Sequence, residues 1–276
     1  MKKELFGVKN QSKRLIWRWV GRILLSMAIL AVIFWSFMYY VMNWHIFAIN
    51  KENVPQFIQA HFVDVDKLTM VSKYRSGIGH DASSDGEDCR SMRHYHGFNH
   101  PEVNDQEEKA KYRYDTYSPV NGRIMSISGD ESQQMNIRPD DKSANGIEIR
   151  IDNVSADPSL KYFSKVKAGQ KIGESLGMAE ITITYNRIFG TQGFSYYELL
   201  PDYLFDDYQK AAGRNITRDD FIISKEYRDA HPLQCEDSWG QWFIPSAETE
   251  SDYNYVYLNG YIPKQEVKKD DEQKNN

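Results

Sequence analysis

The chain has 276 residues, of which 34 are Lys or Arg and 39 are Asp or Glu, and its net charge is −5. The first 50 residues carry seven Lys or Arg and one acid, a net charge of +6, so the remainder carries −11. A chain of this length can form one sizeable domain with additions. A globular region this acidic lacks the basic footprint that phosphate backbones require, which excludes nucleic acid as a partner.

The basic end leads into twenty uncharged residues, ILLSMAILAVIFWSFMYYVM. As a helix they span about 30 Å, the thickness of a bilayer core. A cleaved signal sequence has a shorter apolar region that ends in small residues, whereas this run ends near Tyr40 and Trp44, which suit a membrane interface. Because the positive charges precede the run, we predict a cytoplasmic segment at 1–22 and a single transmembrane helix at 23–43, with the rest exported.

Export changes the interpretation of the two cysteines, Cys89 and Cys235. In an oxidising compartment two cysteines more often form a disulfide than remain free. We predict that they are paired with each other. The alternative makes Cys89 a zinc ligand.

Short segments that alternate apolar and polar residues dominate 51–195 and are separated by turn residues. They predict an antiparallel β-domain, a small barrel or sandwich. The polar, aperiodic stretch 79–116 is predicted as a long loop. The predicted strands are centred on LTMV (68–71), RIMSI (123–127), GIEIRIDN (146–153), VKAGQKIG (166–173) and AEITITYN (179–186).

The composition changes at residue 196 and predicts a mixed α/β extension over 196–263. An aromatic and acidic helix is expected to end near Gly213, and Thr217 with Asp220 resembles the start of a second helix. The tail 264–276 is charged, lacks a packed apolar pattern and is predicted to be disordered. The predicted fold class is therefore mainly β, with one N-terminal transmembrane helix and a mixed C-terminal extension.

Four of the seven histidines lie in GHDASSDGEDCRSMRHYHGFNH (79–100). His94 and His96, at i and i+2, would point the same way from an extended segment, a workable spacing for metal ligands. The other interpretation is a polar loop whose histidines hydrogen-bond or face solvent. We predict no metal site here; if a metal is bound, the ligands are expected to be His80, His94 and His96.

Aromatic residues suggest a second feature, with two interpretations. They can pack in the core, or they can form a contact surface for a glycan or a partner protein. The candidate contact residues are Tyr95, Asn99, Phe194, Tyr196 and Tyr197.

Several segments together resemble a known family. SGIGH (76–80), YSPVNGRIMSI (117–127), NGIEIRIDN (145–153) and VKAGQKIG (166–173) follow the order and spacing seen in the M23 (LytM-like) peptidases, zinc endopeptidases of the bacterial cell wall. The resemblance covers roughly 74–190, under half of the chain. It implies a LytM-like antiparallel β-domain in the periplasm.

The zinc-binding motifs of that family are not matched. The family takes its ligands from a His-x-x-x-Asp motif and from a His-x-His motif on a later strand. Here Asn99 follows His94 after four intervening residues and His96 after two, and it replaces the acid. Where the later motif is expected, the strand contains Glu180–Thr184 (EITIT) and no histidine. The resemblance therefore assigns no catalytic residue and no cofactor, with zinc as the alternative.

The function that these features predict is binding or scaffolding by a bacterial inner-membrane protein, single-pass, with a catalytically degenerate LytM-like domain in the periplasm. The expected partners are the membrane, and either peptidoglycan or a protein of an envelope machine such as a pilus, division or secretion assembly. One alternative is an active zinc endopeptidase that uses the histidines of 80–100. A further alternative is a membrane-fusion-type adaptor, whose barrel has pieces similar to SPVNG and VKAGQKIG; no heptads are visible in the sequence.

Overall fold

The structure, a computed structural model, describes residues 2–99, 111–236 and 242–263. The chain divides into two compact units, Met1–Ile46 and Phe47–Asn276.

The first unit is a long helix. Helix α1 spans Lys2–Tyr40, and its stretch Ile16–Tyr40 is long and apolar enough to cross a membrane. After the helix, the chain stays at its end: the Trp44 amide donates to the Met38 carbonyl at 3.1 Å. The predicted apolar helix is thus confirmed, with bounds that overlap the predicted 23–43.

The second unit is built on one antiparallel sheet, which confirms the mainly β prediction. The sheet order is β10-β1-β2-β8-β6-β5-β4-β7, and β3 and β9 also pair with β8. The strands are β1 Leu68–Ser72, β2 His94–Phe98, β3 Arg113–Tyr117, β4 Gly122–Ser128, β5 Gln133–Pro139, β6 Ile147–Ala156, β7 Lys165–Val166, β8 Lys171–Asn186, β9 Thr191–Phe194 and β10 Tyr255–Tyr257.

Strand β8 organises the sheet. Its 16 residues pair with β2, β3, β6 and β9. Two strands predicted separately, in 166–173 and 179–186, are joined in it, because the turn at Gly169 lies before Lys171 and no break follows. Gly169 has a φ of +75°, a conformation that glycine adopts without steric cost.

The prediction of one long loop over 79–116 is wrong. This region contributes β2, whose five residues are all buried between β1 and β8, and β3, which pairs with β8. The polar residue types concealed β2, because a histidine can be buried when its ring nitrogens find partners, as both do in His94 and Nε2 does in His96. Residues 100–110 lie outside the described part of the chain.

The C-terminal extension contains helix α2, Asp202–Ala212, followed by Gly213 in the left-handed conformation, as predicted. The capping box of Thr217 and Asp220 starts only a 3-10 turn, Arg218–Phe221. A separate helix α3, Lys225–Ala230, follows. The helix predicted after Thr217 is interrupted because Ile223 donates its amide to the Tyr74 carbonyl at 2.9 Å. The predicted tail, 264–276, is outside the described residues.

Of the two interpretations of the candidate contact residues, core packing is correct for four of the five, and the contact surface is wrong for them. Tyr95 is 6% exposed and Phe194 2%, while Tyr196 and Tyr197 are fully buried; only Asn99 is exposed. The ring of Tyr197 stacks on Phe221 with centroids 3.6 Å apart. These aromatic rings therefore pack in the core and join the sheet to the C-terminal extension.

Candidate functional site: a polar groove on the sheet

The two faces of the sheet differ in character because side chains alternate along each strand. Where β6 and β8 pair before the bulge, alternate residues, including Ile149, Ile151, Ile181 and Ile183, are buried in the hydrophobic core. The residues between them face the other side and lie opposite one another in register. These polar cross-strand pairs are Glu148 with Thr184, Arg150 with Thr182, and Asp152 with Glu180.

An ion pair lies at one end of this polar face. The Arg93 Nη1 atom donates to Glu180 Oε2 at 3.0 Å and lies 3.7 Å from Asp152 Oδ2. The side chains of Arg93 and Glu180 are only 5% and 10% exposed. Arg93 immediately precedes β2, so the pairing of β2 with β8 determines its position beside Glu180.

A β-bulge brings a third group to the same carboxylate. The register between β6 and β8 shifts between Asp152 and Val154, and Asn153 has a φ of +56°. Bulges change the direction in which a side chain points. Here Asn153 Nδ2 donates to Glu180 Oε1, while Arg150 Nε donates to Asp152 Oδ2 at 2.9 Å.

These residues line an open groove of about 440 Å³. His80 lies along the groove, and its imidazole is in edge contact with Trp242, at 5.5 Å between ring centroids. The Trp242 side chain is 59% exposed. We call this groove the polar groove, and its principal residues are His80, Arg93, Arg150, Asp152, Asn153 and Glu180.

The electrostatics of the polar groove are mixed. Burial raises the pKa of Glu180 above its ordinary value, although Arg93 acts in the opposite direction. Burial, together with the charge of Arg93, lowers the pKa of His80. The groove therefore presents positive, negative and neutral polar groups side by side, which suits a ligand with both donors and acceptors.

Three buried polar atoms of this face have no hydrogen-bond partner among the described residues. They are Arg93 Nε, Thr182 Oγ1 and Asn136 Oδ1. Thr182 and Asn136 are the cross-strand neighbours of Arg150 on either side. Buried polar groups without partners are rare in native proteins and require an explanation. Of the three, only Arg93 Nε belongs to a residue that lines the polar groove.

His94 and His96 point into the core, not into the groove. The rings are completely buried and their centroids are 6.3 Å apart. His94 Nδ1 lies 2.8 Å from the Ser72 carbonyl and its Nε2 lies 2.9 Å from Ser195 Oγ. His96 Nε2 lies 3.0 Å from the Tyr197 hydroxyl.

The contact of His94 with Ser195 resembles a nucleophile and its base. The carbonyl of Ser72 accepts from Nδ1–H, so Nε2 is free to accept from the serine hydroxyl. Ser195 is nevertheless fully buried, and its hydroxyl also caps the turn that starts at Tyr196. Burial lowers the pKa of His94 to about 4. With no access for a substrate, the pair has a structural role.

The donor set does not fit the zinc site of the peptidases. The Nε2 atoms of His94 and His96 each face a hydroxyl, and His80 lies on the opposite face of the sheet. Within 2–99, 111–236 and 242–263, no three His, Cys, Asp or Glu side chains are grouped as metal ligands. His100 lies outside the described residues. The predicted ligand set of His80, His94 and His96 is therefore not assembled.

Cys89 and Cys235 form the predicted disulfide, with Cα atoms 5.8 Å apart. Cys89 is therefore not available as a zinc ligand. The backbone of Cys235 forms an isolated antiparallel β-bridge with Phe243, and that of Trp242 forms one with His80. The disulfide thus holds the C-terminal segment next to one wall of the polar groove.

Most of the polar groove is not among the residues predicted from the sequence. The alternation in β6 and β8 predicts which of their residues are apolar and buried. The charged residues between these, Glu148, Arg150 and Asp152 on β6 and Glu180 on β8, are the feature of the sequence that indicates the groove. Only the register of the strands shows that these charges meet.

No protein family matches the sequence, and no curated protein is a significant match. Among solved structures, one of a SpoIIIAH and SpoIIQ complex is 15% identical, covers 47% of this chain and 92% of its own, and has a TM-score of 0.32. Csd3 of Helicobacter pylori is also 15% identical, with 56% of this chain covered and a TM-score of 0.32. The match spans only 41% of the Csd3 chain. Similarity at this level assigns no activity.

Proposed function

We propose that this chain is a membrane-anchored protein of the bacterial cell envelope whose exported domain binds a peptide-containing ligand in the polar groove, without hydrolysing it. The ligand is either peptidoglycan or a segment of an envelope protein. The observation that carries the proposal is the polar groove itself, with its buried ion pair and the unpartnered Nε atom of Arg93.

The location rests on two features. The apolar stretch Ile16–Tyr40 has the length of a membrane span, and the positive charges of the sequence near it precede or begin that stretch. The Cys89–Cys235 disulfide is typical of an oxidising compartment. Both features favour a cytoplasmic N-terminus and a periplasmic domain.

The chemistry of the groove favours binding. A peptide presents amide donors and acceptors and charged termini or side chains, and the groove offers the complementary groups. Arg150 can pair with a carboxylate, while Asp152 and Glu180 can accept from amines and amides. The resemblance of 74–190 to the LytM-like peptidases agrees with a ligand of the cell wall, and the donor set of the described residues does not favour the zinc endopeptidase.

The test uses the full-length protein purified in mild detergent. Sedimentation with insoluble peptidoglycan measures binding to the wall, and crosslinking in intact envelopes followed by mass spectrometry identifies protein partners. Arg150→Glu reverses a charge in the groove and is expected to reduce binding at least about tenfold, since a charged hydrogen bond contributes about 1.5–3 kcal/mol.

The matched control is Arg123→Glu, which reverses the charge of a half-exposed arginine on β4 that does not line the groove. It should bind like the unaltered protein. If neither peptidoglycan nor a partner depends on Arg150, the groove is not the binding site. Zinc-dependent release of wall fragments would instead establish the endopeptidase.

A further inference from the structure

We infer that the polar groove recognises an α-amino-acid group, in which one carbon carries both a carboxylate and an ammonium: Arg150 binds the carboxylate and Asp152 binds the ammonium. This inference rests on the proposed function and deepens it, because it names the chemical group of the ligand. Inside an ordinary peptide both functions are in amide bonds. The intact group occurs in a free amino acid, or in a diamino acid that is joined to a chain through its side-chain amine.

Arg150 and Asp152 form the part of the groove that a ligand can reach. They are two residues apart on β6 and therefore on the same side of the sheet. Arg150 uses Nε for Asp152 Oδ2, at 2.9 Å; its Nη1 and Nη2 atoms donate no hydrogen bond to a described residue, and Asp152 Oδ1 accepts none from one. The two side chains are 33% and 16% exposed. A guanidinium edge and a carboxylate oxygen thus remain side by side for a ligand, and such an edge binds a carboxylate through two parallel hydrogen bonds.

Arg93 and Glu180 lie beneath this pair. Arg93 Nη1 donates to Glu180 Oε2, and Asn153 donates to the other oxygen, so both oxygens of Glu180 already accept a hydrogen bond. Arg93 differs, because its buried Nε atom has no partner in the described part of the chain. Arg93 Nη1 is also 3.7 Å from the same Asp152 oxygen that Arg150 contacts. A carboxylate bound to Arg150 is therefore close to a second guanidinium that still lacks an acceptor.

The formal charges of the groove add up to zero. Burial, and next the charge of Arg93, lower the pKa of His80, so its imidazole is neutral at pH 7. The charged side chains that line the groove are two cations, Arg93 and Arg150, and two anions, Asp152 and Glu180. Further along the face, Glu148 interacts with Arg138 and Arg150, which adds one charge of each sign.

A balanced groove favours a ligand that is neutral overall. A lone anion would leave an excess of negative charge among half-buried groups. It would also approach past Asp130 and Glu131, two exposed acids in the turn between β4 and β5, whose neighbours Gly129 and Ser132 line the groove. A zwitterion keeps the sum at zero and gives both Arg150 and Asp152 a charged partner. Hydrogen bonds between charged groups are about twice as strong as those between neutral groups.

Two isomers of acetylated lysine test the inference on the full-length protein in deuterated detergent. Nε-acetyl-lysine carries the ammonium and the carboxylate on one carbon, as a chain-linked diamino acid does. Nα-acetyl-lysine has the same atoms and the same net charge, but its ammonium is at the far end of the side chain. Alanine represents the free amino acid. Saturation-transfer difference NMR titrations measure the dissociation constant of each probe.

Nε-acetyl-lysine is expected to bind at least about tenfold more tightly than its isomer. Arg150→Gln and Asp152→Asn should each remove this preference, whereas the control Arg123→Gln should retain it. Arg150→Lys keeps the charge without the two-armed edge and should retain a part of the preference. Near-UV circular dichroism verifies the fold of each variant. Alanine that binds as tightly as Nε-acetyl-lysine identifies a free amino acid as the source of the group, and alanine that binds several-fold more weakly identifies a chain-linked one; both results support the inference.

The inference and the proposed function can fail separately. Equal binding of the two isomers, while binding to peptidoglycan or to a protein partner still depends on Arg150, overturns the α-amino-acid group alone. A preference that persists in both Arg150→Gln and Asp152→Asn also overturns it, because the group is then bound elsewhere. A preference that depends on these two residues, without binding to peptidoglycan or to a partner, supports the inference and overturns the proposed function.

Discussion

Arg93 and Glu180 form a nearly buried ion pair, 3.0 Å between Nη1 and Oε2, at the base of the polar groove. The pair joins the residue before β2 to the central strand β8. A buried charge is tolerated only while its partner is present, so this contact connects the stability of the sheet to the groove.

Replacement of one partner should be costly. Arg93→Met leaves Glu180 buried without its main countercharge, and we expect a loss of about 3 kcal/mol in the free energy of unfolding at neutral pH. Arg93→Met combined with Glu180→Leu should recover most of it, because neither charge remains. Urea unfolding of the full-length protein in detergent, followed by near-UV circular dichroism, measures both.

The loss of unfolding free energy in Arg93→Met should also depend on pH. Without Arg93, the folded-state pKa of Glu180 rises further above its unfolded value, so the folded state takes up a proton first and stability recovers as the pH falls. The exposed replacement Arg123→Met should change the stability by less than about 0.5 kcal/mol. An equal, pH-independent loss in the single and double variants would contradict this account.

The buried histidines predict a second pH effect of opposite sign. The pKa of His94 is lowered to about 4 by burial, so the unfolded state binds a proton below the ordinary value of 6.5 while the folded state does not. Stability is thus complete above pH 6.5 and is lost as the pH falls, by about 2 kcal/mol between pH 6.5 and 5 for this group. His96 acts in the same direction.

The free energy of unfolding, measured between pH 5 and 8, tests this effect. In His94→Gln the slope of this free energy against pH should be smaller than in the unaltered protein, although the variant is less stable at neutral pH. Ser195→Ala is the matched control, since it removes the hydroxyl at 2.9 Å but keeps the imidazole. It should lower stability at every pH and retain the slope. An unchanged slope in His94→Gln would assign the acid sensitivity elsewhere.

The sequence predicts the strands whose apolar residues alternate, the helix ending at Gly213 and the disulfide, because each depends on local pattern or on pairing of the only two cysteines. It does not predict β2, since His94 and His96 are polar types whose burial depends on Ser195 and Tyr197, about a hundred residues away. The polar groove is missed for a related reason. The meeting of Arg93 with Glu180 is set by strand register, which a single sequence does not reveal.

The disulfide should contribute strongly to stability. Cys89 and Cys235 are separated by 146 residues, and closing so long a loop restricts the unfolded chain by about 4–5 kcal/mol in the entropic description. Cys89→Ser/Cys235→Ser should therefore melt at a lower temperature than the unaltered protein. Adding reductant should lower the melting temperature of the unaltered protein only; a drop in the double variant as well would indicate another target.

Zinc should not stabilise the protein. The Nε2 atoms of the two core histidines face hydroxyl groups, and no set of three ligands is grouped among the described residues. We expect the same melting temperature after chelation and after addition of Zn²⁺, and substoichiometric zinc by elemental analysis. One bound zinc per chain that is lost in His94→Gln/His96→Gln would contradict the assignment and support the peptidase alternative.

Two glycines provide a matched test of the contact beside the groove. Gly79 and Gly86 have φ angles of +77° and +72°, so replacement by alanine strains both backbones by about 1–2 kcal/mol. A Cβ at Gly79 would also collide with the ring and hydroxyl of Tyr95, whereas nothing lies within 4 Å of one at Gly86. Tyr95 is buried opposite Glu180, so it has little room to move.

Gly79→Ala should therefore be the less stable of the two, by a further loss of about 2 kcal/mol, which is typical of overpacking. It should also weaken ligand binding in the groove, because His80 follows directly and its amide faces the Tyr95 hydroxyl. Gly86→Ala should bind normally. Urea unfolding and the peptidoglycan or partner assay measure the two effects separately. Equal stability of the two variants would show that Tyr95 can move aside, and the wall of the groove would then be adaptable instead of fixed.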